Sequence, residues 1–325
     1  MKIIIDAFGC DNPESFISGI PEAITESPTA TLTVAGDRAR IEKILDGKEF
    51  DKSRLEIVDA PEIITNYDSP ILAIRTKKNS SMVSAMRLLR DSEDAPVMIT
   101  AGNTGATVAA SVLIVGRYDR DDRPTLVTVL PNDKGGITCL ADCGANVDCR
   151  PEHLVRFASY ASDYMKSVYG IAAPRVGLLS VGTEDEKGNA QTKEAFSLLR
   201  ESELNFVGNM EARSALSGDV DVIVTDGFAG NILLKTVEGT AKSVVTRMVK
   251  MLGKHAGGQD ISFVKRAVGE LFETLDFNSM GGAIILGLKK PIIKAHGSAN
   301  AMTMVNTVKQ AVRIAEGHAG LLSGN

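Results

Sequence analysis

The sequence contains no tryptophan, and aromatic residues make up only 5% of it. Proteins that bind single-stranded nucleic acid commonly stack the bases on aromatic side chains, so such a platform is not expected here. The formal net charge of -5 offers no general attraction for a polyanion either. We therefore predict no nucleic-acid partner.

Cysteines and long apolar runs are also scarce. Four cysteines and the lack of an N-terminal signal pattern predict a reducing, cytoplasmic location. No apolar run reaches the about 18 residues that a membrane-spanning helix needs. Any membrane contact is therefore expected at the surface of the protein.

Metal and nucleotide motifs are missing. Cys139, Cys143, Cys149 and His153 are near one another in the sequence, but their spacings match no zinc pattern, and small buried thiols are the simpler interpretation. No G-x-G-x-x-G follows a strand, and there is no G-x-x-x-x-G-K-[ST]. We predict neither a metal nor another cofactor.

What the sequence does contain is a regular alternation of short apolar runs with helical patterns of about 10–15 residues. This alternation is typical of βαβ units and predicts an α/β fold with a mostly parallel sheet. The length of 325 residues, with 44% hydrophobic residues, allows one large domain or two moderate ones.

The clearest strand–helix corner lies in residues 97–106. An apolar strand runs into a small polar turn, and the helix that follows, to about Gly116, is apolar on every side, which predicts a buried helix. The first N–H groups of a helix lack internal partners and attract anions, so an oxyanion or phosphate would suit this corner. A well-capped turn without a ligand is the simpler alternative. The residues of the turn are Gly102, Asn103, Thr104 and Gly105.

Six apolar strands end in corners that carry glycine with asparagine or aspartate. Turn preference explains any single corner. In open α/β sheets, however, ligands bind beyond the carboxyl ends of the strands, so we expect these corners to meet in one cleft.

Longer stretches around the corners resemble the PlsX family of phosphate acyltransferases, over essentially the whole chain. The matching stretches are residues 101–106, 142–154, 205–209, 217–222, 226–236 and 294–298. The N-terminal corner departs from the family: it usually continues as Met-Gly-Gly-Asp-His, whereas here residues 8–12 are Phe-Gly-Cys-Asp-Asn. A histidine role at that corner is therefore not carried over.

The resemblance implies transfer of a fatty acyl group from acyl carrier protein to inorganic phosphate, giving acyl phosphate for phospholipid synthesis. It also implies a Rossmann-like three-layer α/β/α fold, related to phosphotransacetylases and isocitrate-type dehydrogenases. A homodimer, a peripheral position on the membrane surface, and a membrane acyltransferase that uses the acyl phosphate are implied as further partners.

The chemistry indicates which residue types to expect. Phosphate is anionic at neutral pH and thiols ionise near about pKa 8.5, so the site has to hold phosphate against the carbonyl and stabilise an oxyanion. No covalent enzyme intermediate is expected. Asp142 and Asp226 are equally well explained as helix caps or turn residues.

As catalytic residues we predict Asn103, Lys187 and His296. As substrate- or phosphate-binding residues we predict Gly102, Thr104, Gly105, Asn146, Asn189, Asp226, Asn231, Lys235 and Ser298.

Three other functions remain open. One is a short-chain phosphotransacetylase that acts on acyl-CoA. Another is a decarboxylating dehydrogenase of related fold, which the missing dinucleotide motif disfavours. The third is a non-catalytic membrane or carrier-protein scaffold.

Residues 240–275 contain two apolar stripes at helical spacing, separated by Gly257 and Gly258. We predict a helical hairpin over about residues 236–278, inserted in a single domain of residues 1–325. Its first helix is basic, which favours contact with anionic lipid, and an interface between two copies is the alternative. Val264, Val268 and Leu271 mark the second stripe as the membrane or dimer contact.

Overall fold

The computed structural model describes residues 1–255, 262–264, 266, 268–269 and 281–321. The strands of these residues form one sheet in the order β3-β2-β1-β4-β11-β10-β5-β6-β9-β7-β8. Their bounds are β1 Lys2–Asp6, β2 Thr31–Gly36, β3 Leu55–Asp59, β4 Val97–Thr100, β5 Thr125–Pro131, β6 Ile137–Ala141, β7 Val176–Ser180, β8 Phe206–Glu211, β9 Val222–Val224, β10 Ala283–Leu286 and β11 Ile292–Lys294.

Helices connect most of the strands. Their bounds are α1 Pro13–Ile17, α2 Ile20–Glu26, α3 Arg38–Leu45, α4 Pro70–Thr76, α5 Ser81–Asp91, α6 Thr104–Ala110, α7 Pro151–Tyr169, α8 Ala190–Glu201, α9 Gly227–His255 and α10 Ala301–Leu321. The sequence sets many of the starts. Asp37 and Ser80 accept a hydrogen bond from the first turn of α3 and α5, and Pro13, Pro70 and Pro151 occupy first helical positions, where no N–H donor is needed.

The sheet separates two apolar layers, because successive side chains of a strand point to opposite faces. Ile3 and Ile5 pack in one layer with α1, α2, α3, α7, α8 and α10. Ile4 packs in the other layer with α4, α5, α6 and α9. Strands that are buried on both faces are typical of α/β proteins. The predicted three-layer α/β/α fold with a mostly parallel sheet is confirmed.

The strand directions reverse in the middle of the sheet. Strands β1, β2, β3, β4 and β11 are parallel, and β6, β7, β8 and β9 form a second parallel block. Between them, β10 is antiparallel to β11 and β5, and β5 is antiparallel to β6. The two blocks therefore run in opposite directions. The corners that follow the two blocks therefore do not lie beyond one common edge of the sheet.

The helix after β4 also differs from the prediction. It is α-helical only over Thr104–Ala110, continues as a π-helical turn over Ser111–Val115, and ends at Gly116, whose φ is 92°. It is not buried on every side, since Leu113 is 57% exposed. An apolar side that faces away from the core is consistent with an apolar ligand or a partner surface.

The predicted hairpin is described only in part. Helix α9 starts at Gly227 and runs without a break through the first predicted hairpin helix, so that helix is the continuation of a core element. The glycine turn and Leu271 lie outside the described residues, whereas Val264 is half-buried and Val268 is buried. The hairpin and the single-domain boundaries stay predictions. Among the described residues, no helix is both long and apolar enough to cross a bilayer.

Candidate active site

A cleft of about 380 Å³ lies on the sheet face that is covered by α4, α5, α6 and α9. Strands β5, β10 and β11 form its floor, and the first turns of α6 and α9 form part of its walls. Corners that follow both parallel blocks reach this cleft, because α6 and α9 lie on the same face. The polar side chains that line it are Thr104, Thr128, Asn231, Lys235, Glu238, Lys294 and His296.

The end of β11 places His296 in the cleft with a defined orientation. Its Nδ1 accepts the backbone N–H of Ser298 at 3.2 Å and lies 2.8 Å from the Ser298 hydroxyl oxygen. This contact leaves Nε2 as the N–H donor of the neutral ring. Burial, followed by the charge of Lys235, lowers the pKa of His296, so the ring is neutral at pH 7. Ser298 therefore orients the histidine, and its predicted role in substrate binding stays a prediction.

The first turns of α9 supply two more of the predicted residues. Asn231 and Lys235 are four residues apart and share one side of the helix, towards the cleft. The Lys235 ammonium is 2.7 Å from the carboxylate of Glu238, which also lines the cleft. Asp226 caps this helix, because its Oδ1 accepts the N–H groups of Phe228 and Ala229 at 3.0 and 2.8 Å.

Two glycines let α9 start directly against the loop that follows β6. A Cβ on Gly230 would lie 1.9 Å from the carbonyl oxygen of Asp142, and a Cβ on Gly227 would lie 2.6 Å from that of Asn146. Only glycine allows so close an approach of two backbones. The loop and α9 therefore form one wall.

The loop itself is wound around the buried carboxylate of Asp142. Its oxygens accept N–H groups from Leu126, Gly144, Ala145 and Asn146 at 2.7–3.3 Å. The Asn146 side chain donates to Asp142 at 2.9 Å and to the carbonyl of Pro124 at 2.7 Å. Burial raises the pKa of Asp142, and these donors oppose the rise. Both amide hydrogens of Asn146 thus bind within the loop, and its predicted substrate contact stays a prediction.

The corner after β4 likewise uses its polar groups internally. Asn103 caps α6 by accepting the Ala106 N–H at 2.8 Å, and its amide nitrogen lies 3.4 Å from Asn66 Oδ1. The Gly102 N–H is bound by the Thr100 hydroxyl. Within the described residues, Thr104 is the one member of this corner that lines the cleft, and the catalytic role of Asn103 stays a prediction.

An apolar groove of about 470 Å³ continues from the cleft along α6. Thr104 and Gly144 line both spaces, so the groove begins where the cleft ends. Thr104 is also the only polar side chain among the described residues of the groove. The other lining residues are Ile71, Gly105, Val108, Ala109, Val112, Leu113 and Ala145.

A polar pocket of about 470 Å³ lies on the other side of Val147 and Phe228, which line both it and the cleft. It contains Asn189 and Asp226. Asn189 caps α8 by accepting the Thr192 N–H at 2.9 Å. Lys187 lies in the preceding loop, where its side chain passes close to Gly182. In the part of the chain that the structure describes, Lys187 lines neither space and is not brought together with His296.

Two residues that line the cleft, Lys294 and Glu238, are not among those predicted from the sequence. Lys294 is buried at the end of β11 and lines the floor of the cleft. A lysine inside the apolar run of residues 291–295 was an available signal, because buried lysines are rare unless they have a partner or a function. Glu238 carried no comparable signal, since an acidic residue on a helix is ordinarily a solvated one.

Comparisons with known proteins identify a matching family model and similar proteins. A family model described as "Fatty acid synthesis protein" matches residues 1–319. The phosphate acyltransferase of Clostridioides difficile strain 630 is 42% identical over 320 residues, covering 98% of this chain and 93% of that protein. The phosphate acyltransferase of Bacillus pumilus strain SAFR-032 is 44% identical over 322 residues, covering 97% and 94%.

Solved structures share the fold at low sequence identity. A branched-chain phosphotransacylase from Enterococcus faecalis V583 superposes with a TM-score of 0.62 at 13% identity, covering 96% of this chain and 98% of that one. A phosphotransacetylase from Streptococcus pyogenes gives 0.59 at 15%, covering 96% and 94%. A 4-hydroxythreonine-4-phosphate dehydrogenase from Klebsiella pneumoniae gives 0.57 at 14%, covering 97% and 99%. At these identities the likeness shows the fold alone.

Proposed function

The chain belongs to the phosphate acyltransferase family and is an acyltransferase, and on that basis we propose its substrates. It transfers a fatty acyl group from the thioester of acyl carrier protein to inorganic phosphate. The product is acyl phosphate, which a membrane acyltransferase consumes in phospholipid synthesis.

The observation that carries this proposal is the junction of the cleft with the groove. The cleft has cationic and hydrogen-bonding side chains, among them Lys235, Lys294 and His296, whereas the groove is apolar beyond Thr104. A substrate that fits both is an amphiphile with an anionic or thioester head and a hydrocarbon tail. The groove favours a fatty acyl donor over the short-chain acyl-CoA of the alternative function, because a short acyl group would leave it unfilled.

The reaction requires little beyond positioning and electrostatics. An oxygen of hydrogen phosphate attacks the thioester carbonyl, the tetrahedral oxyanion collapses, and the carbon–sulfur bond breaks. The phosphate proton ends on the leaving sulfur, so the products are acyl phosphate and the free thiol of the carrier. We assign the Nε2–H of His296 to the oxyanion, because a neutral ring can donate without competing as a cation for phosphate. Lys235 and Asn231 are assigned to the phosphate.

A surface contact of α9 completes the proposal. Its second half exposes Val244, Met248, Val249 and Met251, and it carries Lys242, Arg247, Lys250 and Lys254. A basic helix with exposed apolar side chains suits the surface of an anionic membrane, where the product is needed. Flotation with anionic vesicles should recover the wild type and lose Val249→Asp, with Val207→Asp on β8 as the matched exposed control. If the Val249→Asp variant floats like the wild type, or if the substitution changes the oligomeric state without reducing flotation, the contact is not with lipid.

The test of the function is product formation. Palmitoyl-carrier protein is incubated with the enzyme with and without phosphate, and acyl phosphate is trapped with hydroxylamine. Acyl phosphate should form only with phosphate, and the double variant Lys235→Met/His296→Asn should form much less, whereas Lys134→Met on the remote β5–β6 turn should match the wild type. Phosphate-independent release of free fatty acid, or activity with acetyl-CoA but not with the carrier protein, would contradict the proposal.

A further inference from the structure

Three polar side chains lie in one row on the cleft side of the sheet. Asp6 and Lys294 are both register partners of Thr100, one on β1 and the other on β11. Residues in register on neighbouring strands point to the same face. Asp6 is 1% exposed, Thr100 0% and Lys294 8%. A carboxylate, a hydroxyl and an ammonium side chain are thus buried side by side, and of the three residues only Lys294 lines the cleft.

The hydrogen bonds of this row leave specific groups unused. The Thr100 hydroxyl donates to Asp6 Oδ2 at 2.7 Å and accepts the Gly102 N–H at 3.0 Å, so it is fully engaged. Asp6 Oδ1 is buried without a hydrogen-bond partner among the described residues. The Lys294 ammonium donates to the carbonyl of Ala295. An ammonium has three N–H donors, and within the described structure the other two have no protein acceptor.

Charge makes those two donors significant. Burial raises the pKa of Asp6 to about 6 and lowers the pKa of Lys294 to about 8, so both groups are charged at pH 7. No nitrogen–oxygen distance of 4 Å or less joins them among the described ion pairs, so Asp6 acts on Lys294 through space. The other groups that act on Lys294 are Cys10, Asp11 and Lys235.

We propose that Lys294 is an anion-binding residue of the cleft and that Asp6 is the positioning residue that keeps its ammonium charged when no anion is bound. This inference rests on the proposed function, in which the anion is the phosphate nucleophile. A buried cation with unused donors has lost its hydrogen bonds to water, and the oxygens of an oxyanion can accept hydrogen bonds from the same donors. Thr100 fixes the Asp6 carboxylate, so the negative charge stays beneath the site without occupying it.

Direct binding of sulfate tests the inference without requiring turnover. Sulfate stays divalent between pH 7 and 9, so any pH dependence of its affinity belongs to the protein. Calorimetry on the wild type should show affinity that is constant near pH 7 and falls above about pH 8, by up to about tenfold per pH unit, as Lys294 loses its proton. Cys10, whose pKa burial raises to about 11, does not titrate in this range.

Three variants separate the roles. Lys294→Met should lower sulfate affinity by about 10- to 100-fold and flatten the pH dependence, as expected for the loss of a charged hydrogen-bond donor. Asp6→Asn should keep sulfate affinity near the wild-type value at pH 7 or weaken it slightly. Because Asp6 raises the pKa of Lys294, the affinity of this variant should begin to fall at a lower pH than that of the wild type. Asp6→Asn/Lys294→Met removes both buried charges and provides a folded control if Lys294→Met alone is unstable. Lys2→Met, at the other end of β1, should match the wild type.

The outcomes of the sulfate-binding experiment can be distinguished from those of the acyl phosphate assay. The inference would be overturned, even if acyl phosphate forms, if both variants that lack Lys294 bind sulfate as tightly as the wild type. It would also be overturned if sulfate affinity falls at the same pH in a folded Asp6→Asn variant as in the wild type. Loss of affinity in these variants with no acyl phosphate from the wild type would support the anion site and contradict the proposed reaction.

Discussion

The corner after β4 and the end of β11 look alike in sequence, yet the fold uses their polar groups differently. At the β4 corner the Asn103 side chain caps α6, and the Gly102 N–H is held by Thr100. At the end of β11, Lys294 retains donors that no described residue accepts, and His296 is turned by Ser298 so that Nε2–H is its free donor. Polar residues at a strand end thus indicate a site only where the fold leaves their hydrogen bonds unmade.

In the Asp142 loop the polar side chains bind other groups of the protein, and disruption of this loop should give the largest effect on stability. Asp142→Ala leaves four backbone N–H groups without their acceptor, of which that of Leu126 is buried and the other three are partly buried. A buried donor without an acceptor costs about 1–3 kcal/mol, and a partly buried one costs less. We expect the free energy of unfolding in urea to fall by at least about 3 kcal/mol. Asp133→Ala, in the exposed β5–β6 turn, is the control and should change it little. A fully stable Asp142→Ala variant would show that the loop is not built on this carboxylate.

The apolar groove should govern the preference for acyl chain length, and filling it should lower kcat/KM for a long-chain donor about tenfold. Ala109→Phe fills the groove, and each methylene that loses apolar burial costs about 0.8 kcal/mol, so exclusion of two lowers kcat/KM about tenfold. We expect this loss for palmitoyl-carrier protein and none for a butyryl donor. Leu72→Phe is the matched control, because Leu72 is exposed on α4 beside Ile71 but does not line the groove. Equal losses for both donors would mean that the groove does not hold the chain.

The smallest effect is expected at Asn103. This substitution tests most directly whether the polar groups of the β4 corner serve the fold, unlike those at the end of β11. Serine also caps helices, so Asn103→Ser keeps the acceptor for the Ala106 N–H and removes only the amide donor. If the cap is the main role, stability should change by less than about 0.5 kcal/mol and turnover by less than about threefold, whereas Asn103→Ala should lose about 1 kcal/mol. A folded Asn103→Ser variant whose turnover falls by about 10²–10³ would instead establish the predicted oxyanion donor.

The elements of the fold were largely predictable from the sequence, because apolar runs and their turn residues are local signals. The direction of each strand was not, since a strand pattern does not specify its neighbour. The turn of residues 132–136, which ends in two glycines, was a usable hint of the antiparallel β5–β6 pair that reverses the sheet.

The site was predictable only in part for a related reason. Thr104, Asn231, Lys235 and His296 do line one cleft, as expected. The residue type and position of Asn146 match those of a binding residue, and only the tertiary contacts show that its amide hydrogens bind within the Asp142 loop. Sequence indicates which groups are available, whereas the fold determines which remain unpaired.

The most direct test of this distinction is a crystal structure with arsenate, a phosphate analogue that its anomalous scattering identifies. We predict arsenate in the cleft, within hydrogen-bond distance of Lys294 Nζ and of the side chains of Lys235 and Asn231. Arsenate bound instead at the start of α6, on the amide of Asn103 and away from Lys294, would contradict it.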